Sequence, residues 1–311
     1  MGIIRGGDSE YEAQVPSFEQ KTKKLEETIR SALQTDSTVL QLKGRYFATD
    51  EMTVISGSEQ VRSVKSLDLS DNQINDEGLG ILFESPNLAG LEELYLGINF
   101  VTDRGILGLA QSTRLAMTHL KVLSLSDNKL TDASLSELVR SPNFNCLEFL
   151  DIGWNEVGNG TAQALGETNT LANLKKLDLE RGYIDSEGVN HLVRGRVIEH
   201  LEELNLSANK LNDEAVQILA NTPKLSSLRV LRLSQNLFGD EGAKALGASA
   251  TLTGLTHLYM GRNLFGPEGA KAVFETKTLT RLKTLMLQEG VETTPGLVNY
   301  SRPELLRPGH E

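Results

Sequence analysis

What the chain has little of narrows the field first. Among 311 residues there is one cysteine, Cys146, and aromatics make up only 5%. A single cysteine closes no internal disulfide, so the expected setting is reducing and cytoplasmic. Beside Leu147, Cys146 reads as a small buried hydrophobe. No apolar run approaches the length of a membrane span. The start, Met1-Gly2-Ile3-Ile4-Arg5-Gly6, lacks the hydrophobic stretch of a signal peptide. Gly2 has the position of an acylated glycine, but Gly6 stands where that motif wants Ser or Thr.

Basic residues are also in deficit. The net charge is −11 and the pI about 5.1. That argues against nucleic acid as the main partner, because phosphate binding needs a basic footprint. It favours a partner protein with a basic patch and speeds its approach. The histidines (His119, His191, His200, His257 and His310) have no metal-ligand spacing to one another or to Cys146. There is no nucleophile elbow, phosphate loop or kinase signature. The acid-rich run Asp71 to Glu77 lacks the alternating ligands and central glycine of a calcium loop. No catalytic residue, metal or cofactor is expected.

What is present is a repeat. Ser66-Leu67-Asp68-Leu69-Ser70-Asp71-Asn72 returns as Glu93-Leu94-Tyr95-Leu96-Gly97-Ile98-Asn99. The same frame ends again at Asn128, Asn155, Asn209, Asn236 and Asn263, with Gly182 and Gly290 in the asparagine slot of two further copies and Arg45 in an upstream one. Steps between slots are 27 residues, except for 29 between Asn99 and Asn128. In Leu-x-Leu the two leucines share one face of a strand. The asparagine can bond turn backbone that burial would leave unpaired. Asn75-Asp76-Glu77 and Asn212-Asp213-Glu214 then supply a cap residue and acids for a helix N-terminus. Gly266-Pro267-Glu268 puts proline at a first helical position. Ser85-Pro86 and Ser141-Pro142 punctuate the return to the next strand.

This pattern resembles the leucine-rich repeat, and its full-length units resemble the ribonuclease-inhibitor-like class. The resemblance covers about residues 37–290, or about ten repeats. It implies an α/β solenoid, a right-handed horseshoe with parallel strands on the concave face and helices on the convex face. Strands stack about 4.8 Å apart while helices need about 8–10 Å, so the two tied layers must bend. Residues 1–36 are expected to hold a mobile start and a capping helix at about 17–34, with Phe18, Leu25, Ile29, Ala32 and Leu33 covering the first repeat. Residues 291–311 are expected to form a tail.

Function is expected on the concave strand positions, where the repeat does not require apolar side chains. Tyr95, Phe149, Trp154 and Tyr259 supply aromatics, and Asp151, Asp178 and Glu180 an acidic centre suited to Lys or Arg. Arg232 and Arg262 make a more basic C-terminal flank. Gly97, Gly153 and Gly261 are expected to leave room beside these rings. Two extra residues near Met117-Thr118-His119 should bulge from the edge where strands begin. The expected function is a non-catalytic scaffold, monomeric, binding another protein. Two alternatives come from resemblance alone. The Ran GTPase activator is a similar horseshoe, and Arg104 has the kind of position an activator could use. The Ser-Pro-Asn-Leu junction at 85–88 resembles those of bacterial repeat proteins, which would make the chain a secreted effector acting on host proteins in the host cytosol.

Overall fold

The computed structural model describes residues 18–287. The mobile start expected at 1–14 and the tail expected after Gly290 lie outside the described residues. Ten three-residue strands form one open parallel sheet in chain order. They are β1 (Val39–Gln41), β2 (Ser66–Asp68), β3 (Glu93–Tyr95), β4 (Val122–Ser124), β5 (Phe149–Asp151), β6 (Lys176–Asp178), β7 (Glu203–Asn205), β8 (Val230–Arg232), β9 (His257–Tyr259) and β10 (Thr284–Met286). Each covers the Leu-x residues of one copy and the residue before them. Register follows the repeat, so Leu67, Leu94, Leu123 and Leu150 stand side by side in succession, each paired with the next.

Helices return each strand to the next. After α1 (Phe18–Ala32) come α2 (Thr49–Gly57), α3 (Asp76–Phe83), α4 (Asp103–Gln111), α5 (Asp132–Arg140), α6 (Asn159–Glu167), α7 (Ser186–Leu192), α8 (Asp213–Asn221), α9 (Asp240–Ala248) and α10 (Pro267–Phe274). The Ser-Pro and Thr-Pro junctions close as single 3-10 turns at Pro86–Leu88, Pro142–Phe144 and Pro223–Leu225. The leucines of each strand and the apolar helix face, such as Leu79, Leu82 and Phe83, meet in one continuous buried core. Truncating one of these, Leu123 for instance, is a cavity change worth about 2–5 kcal/mol.

The asparagine slot works as the sequence suggests, and across repeats. Asn128 Nδ2 donates to the carbonyls of Leu96, Leu125 and Ser126 at 2.9, 3.0 and 3.1 Å, and its Oδ1 accepts from Val101 N at 3.2 Å. Its side chain therefore ties three segments of backbone that side chains have covered from water. At Gly182, where the asparagine is missing, the neighbouring copies have closed onto the backbone. A Cβ there would lie 2.6 Å from the Val157 carbonyl oxygen and 2.9 Å from Asn209 Oδ1.

The acids at helix starts do something that capping alone did not anticipate. Asn75 caps its own helix, its Oδ1 accepting from Gly78 N at 3.0 Å. Asp76, one residue on, serves the next repeat by accepting from Thr102 N at 2.8 Å and Thr102 Oγ1 at 2.7 Å. Asp132 likewise accepts from Gly158 N, Gly160 N and Thr161 N, and Asp240 from Gly266 N and Gly269 N. The aspartates form a ladder along one edge of the helical layer.

Three expectations are corrected. Phe18 does not cover the first repeat: it is 53% exposed, and Leu25 and Ile29 do the covering. Cys146 is half-buried rather than buried, its Sγ 3.3 Å from Asn145 Oδ1. The two-residue insertion does not bulge freely. Met117 is fully buried and Ala116 N donates to the Phe83 carbonyl at 2.8 Å, leaving Thr118 and His119 exposed.

Candidate protein-binding face

Parallel register brings most of the expected site residues into line. One row crosses seven strands as Tyr95, Ser124, Asp151, Asp178, Asn205, Arg232 and Tyr259. At about 4.8 Å per strand it is roughly 29 Å long. Phe149 stands in the row before it and Glu180 in the row after. Phe149, Asp178, Glu180 and Arg232 line a shallow groove of about 400 Å³ with Lys176, Glu203 and Asn205.

The charges in this groove are unevenly matched. Glu203 is held by Lys176 at 2.7 Å and faces Arg232 at 3.8 Å. Asp151, Asp178 and Glu180 have polar partners instead. Ser124 Oγ donates to Asp151 Oδ2 at 2.6 Å. Asn205 Nδ2 donates to Asp178 Oδ2 at 2.9 Å and to Glu180 Oε2 at 3.1 Å. Among the described residues, none of the three acids has an ion pair. Burial pushes the Asp178 carboxyl up to about 6, with the Asp151 and Glu180 charges adding to the effect and hydrogen bonds opposing it.

The rings sit less freely than the sequence suggests. Tyr95 is half-buried, and its hydroxyl lies 3.3 Å from Glu93 Oε2. Burial, then the Glu93 charge, raises its ionisation above the usual tyrosine range. Tyr259 stacks on His257 with ring centres 6.5 Å apart and carries the Arg232 guanidinium at 5.0 Å. The glycines leave no hollow at two of the three places. A Cβ on Gly97 would lie 2.8 Å from Ser126 Oγ, and one on Gly153 lies 3.1 Å from both Asp178 Oδ1 and the Glu180 carbonyl. Neighbouring strands fill the space because sheet spacing is fixed.

Trp154 and Arg262 do not belong to the concave row. Both lie where the strand turns, with φ of 56° each. Every described copy from Asp71 to Arg262 has a left-handed residue at this place, before the asparagine slot. The turn aims its side chain, and the one after the slot, at the rim where strands end. Among the described residues, seven of the eight large exposed hydrophobic ones, all but Phe18, sit at this rim: Tyr46, Ile98, Phe100, Trp154, Tyr183, Leu237 and Leu264. Sequence reading confined to strand positions missed most of them. The available signal was their lack of any core role in a slot that other copies fill with Asp, Lys or Gln.

Geometry and consensus together define the class. A family model described as leucine-rich repeat matches residues 62–80, 116–139, 145–166, 197–220 and 224–247. A ribonuclease inhibitor from Sus scrofa is 34% identical over 140 residues, 42% of this chain and 30% of that protein, so the chain spans under a third of the relative's length. Two solved internalins of Listeria monocytogenes are similar in outline. For inlF the TM-score is 0.37 at 20% identity, over 91% of this chain and 100% of that one. For inlC2 it is 0.46 at 21% identity, over 72% of this chain and 80% of that one. The chain is built of leucine-rich repeats, and these are similar to the ribonuclease-inhibitor-like kind.

Proposed function

We propose that the protein is a non-catalytic, monomeric scaffold that holds a partner protein on its concave face through a Lys- or Arg-bearing patch. The observation that carries this reading is the set Asp151, Asp178 and Glu180. They lie on adjacent strands without cationic partners, while Glu203 beside them is matched. Uncompensated acids in a partly desolvated groove attract cations more strongly than the same acids in water. Phe149 at the groove supplies apolar area beside them. Leucine-rich-repeat proteins generally mediate protein–protein interaction, in keeping with this. The single cysteine supports a reducing compartment, and we place the protein in the cytoplasm on that ground.

Arg104, whose position is of the kind a GTPase activator could use, pairs with Asp76 at 3.2 Å at the start of α4. Nothing in its surroundings favours that alternative. The scaffold reading is tested by cross-linking partners to the intact protein and to an Asp151→Asn, Glu180→Gln variant. Capture should fall about tenfold or more in the variant, and more steeply at low salt. Unchanged capture of every partner removes the concave acidic site.

A further inference from the structure

The rim differs in kind from the concave face. From Arg181 to Leu264, the residues flanking the four slots are Arg181 with Tyr183, Ala208 with Lys210, Gln235 with Leu237 and Arg262 with Leu264. These eight positions hold three cations and no acid, in a chain of net charge −11. From Asp71 to Glu156 the same positions hold three acids (Asp71, Asp127 and Glu156) and one cation, Lys129. The rim is therefore polarised along the solenoid. In the basic half Tyr183, Leu237 and Leu264 are at least half exposed. The Arg181 guanidinium lies 4.1 Å from the Trp154 ring centre and Lys210 Nζ 4.7 Å from that of Tyr183. Among the described residues neither cation forms an ion pair. Each is pre-positioned by a ring that also offers apolar area, which lowers the ordering cost of binding.

We propose that the rim from Arg181 to Leu264, bounded at the Trp154 end by the acids Asp127 and Glu156, is a second docking surface, independent of the concave site, for an acidic segment of a partner protein in which carboxylates alternate with leucine or aromatic side chains. The carboxylates meet Arg181 and Lys210, and the apolar groups cover Tyr183, Leu237 and Leu264. Nucleic acid fits less well. The cations are few, the whole chain repels phosphate, and the two leucines offer nothing to a sugar–phosphate backbone.

Trp154 is the chain's one tryptophan and reports on this surface directly. The test titrates the intact protein with a fluorescein-labelled peptide of alternating aspartate and leucine or phenylalanine, reading anisotropy and Trp154 emission. The expected result is saturable binding with a shifted Trp154 spectrum, weakened about tenfold by raising salt. The exposed double change Arg181→Glu, Lys210→Glu should abolish most of that binding, and Leu237→Ser should weaken it alone. Asp151→Asn with Glu180→Gln should leave it unchanged, which separates this surface from the concave one. The proposal is overturned by absent binding, by binding that survives the charge reversal in a variant of unchanged circular dichroism, or by equal binding of a lysine-for-aspartate peptide. Preference for a single-stranded oligonucleotide over the peptide overturns it too.

Discussion

Single residues carry obligations set by their place in the stack. Asn128 is 3% exposed and satisfies groups in three segments. Asn128→Ala leaves several buried polar groups unpaired, and urea unfolding should show a loss of about 2–4 kcal/mol. Asp178 carries the opposite burden. Its folded pKa, about 6, is above its unfolded value, so the folded state binds more protons between the two. Its ionisation is therefore a destabilising term that is absent at low pH and grows as pH rises from about 4 through about 6. Asp178→Asn should raise the melting temperature at pH 7.5 and make no difference at pH 4. The same titration bears on function: capture of a basic partner should weaken as pH falls through about 6. Ile98 is a β-branched residue at φ 57°, half exposed. That backbone is strained for isoleucine. Ile98→Gly should stabilise the fold by about 0.5–1 kcal/mol in the same urea measurement, the unfolded-state entropy of glycine offsetting part of the relief.

Elements are held to one another by ladders more than by their own propensities. Helices of seven to nine residues are too short to persist alone. The aspartate ladder ties each helix start to the next, so Asp132→Ala should loosen α6 more than α5. Hydrogen exchange should show faster exchange of the Gly160 and Thr161 amides that Asp132 accepts from. A second ladder runs where strands begin. Lys65 and Lys121 both reach Glu92, at 3.3 and 2.7 Å, and Lys175 reaches Glu148 at 2.6 Å. The alternation continues through Glu202 to Arg229. These pairs are exposed and individually worth little. Their value is in avoiding like-charge neighbours. Glu148→Lys would line up three lysines, and the melting temperature should drop by a few degrees in low salt and recover in about 0.5 M NaCl.

At the scale of the molecule, each repeat touches only its neighbours, so β4 to β7 have several packed repeats on both sides, whereas the outer neighbour of β1 is a single helix, α1. Amides of β1, β2, β9 and β10 should exchange before those of β4 to β7 when the whole chain is followed by mass spectrometry. This scale also shows what the primary sequence made legible. The 27-residue period placed all ten strands, because a period-two Leu-x-Leu fixes which side chains face the core and a constant step fixes register. The asparagine's role was legible for the same reason: its position relative to buried carbonyls never changes. The row from Tyr95 to Tyr259 followed from register alone.

Other features were settled only by contacts between repeats, which no single copy encodes. That Glu203 is matched while Asp151, Asp178 and Glu180 are not depends on which side chains reach across strands. That Gly97 and Gly153 are filled rather than hollow depends on how closely the next strand approaches. That Trp154 belongs to the rim depends on a left-handed turn after the strand, a backbone state its side chain does not announce. The amino-acid sequence by itself determined the solenoid, because repeat spacing is a one-dimensional property of the chain. The tertiary structure decided where its exposed rings and unmatched charges stand, because those depend on distances across repeats.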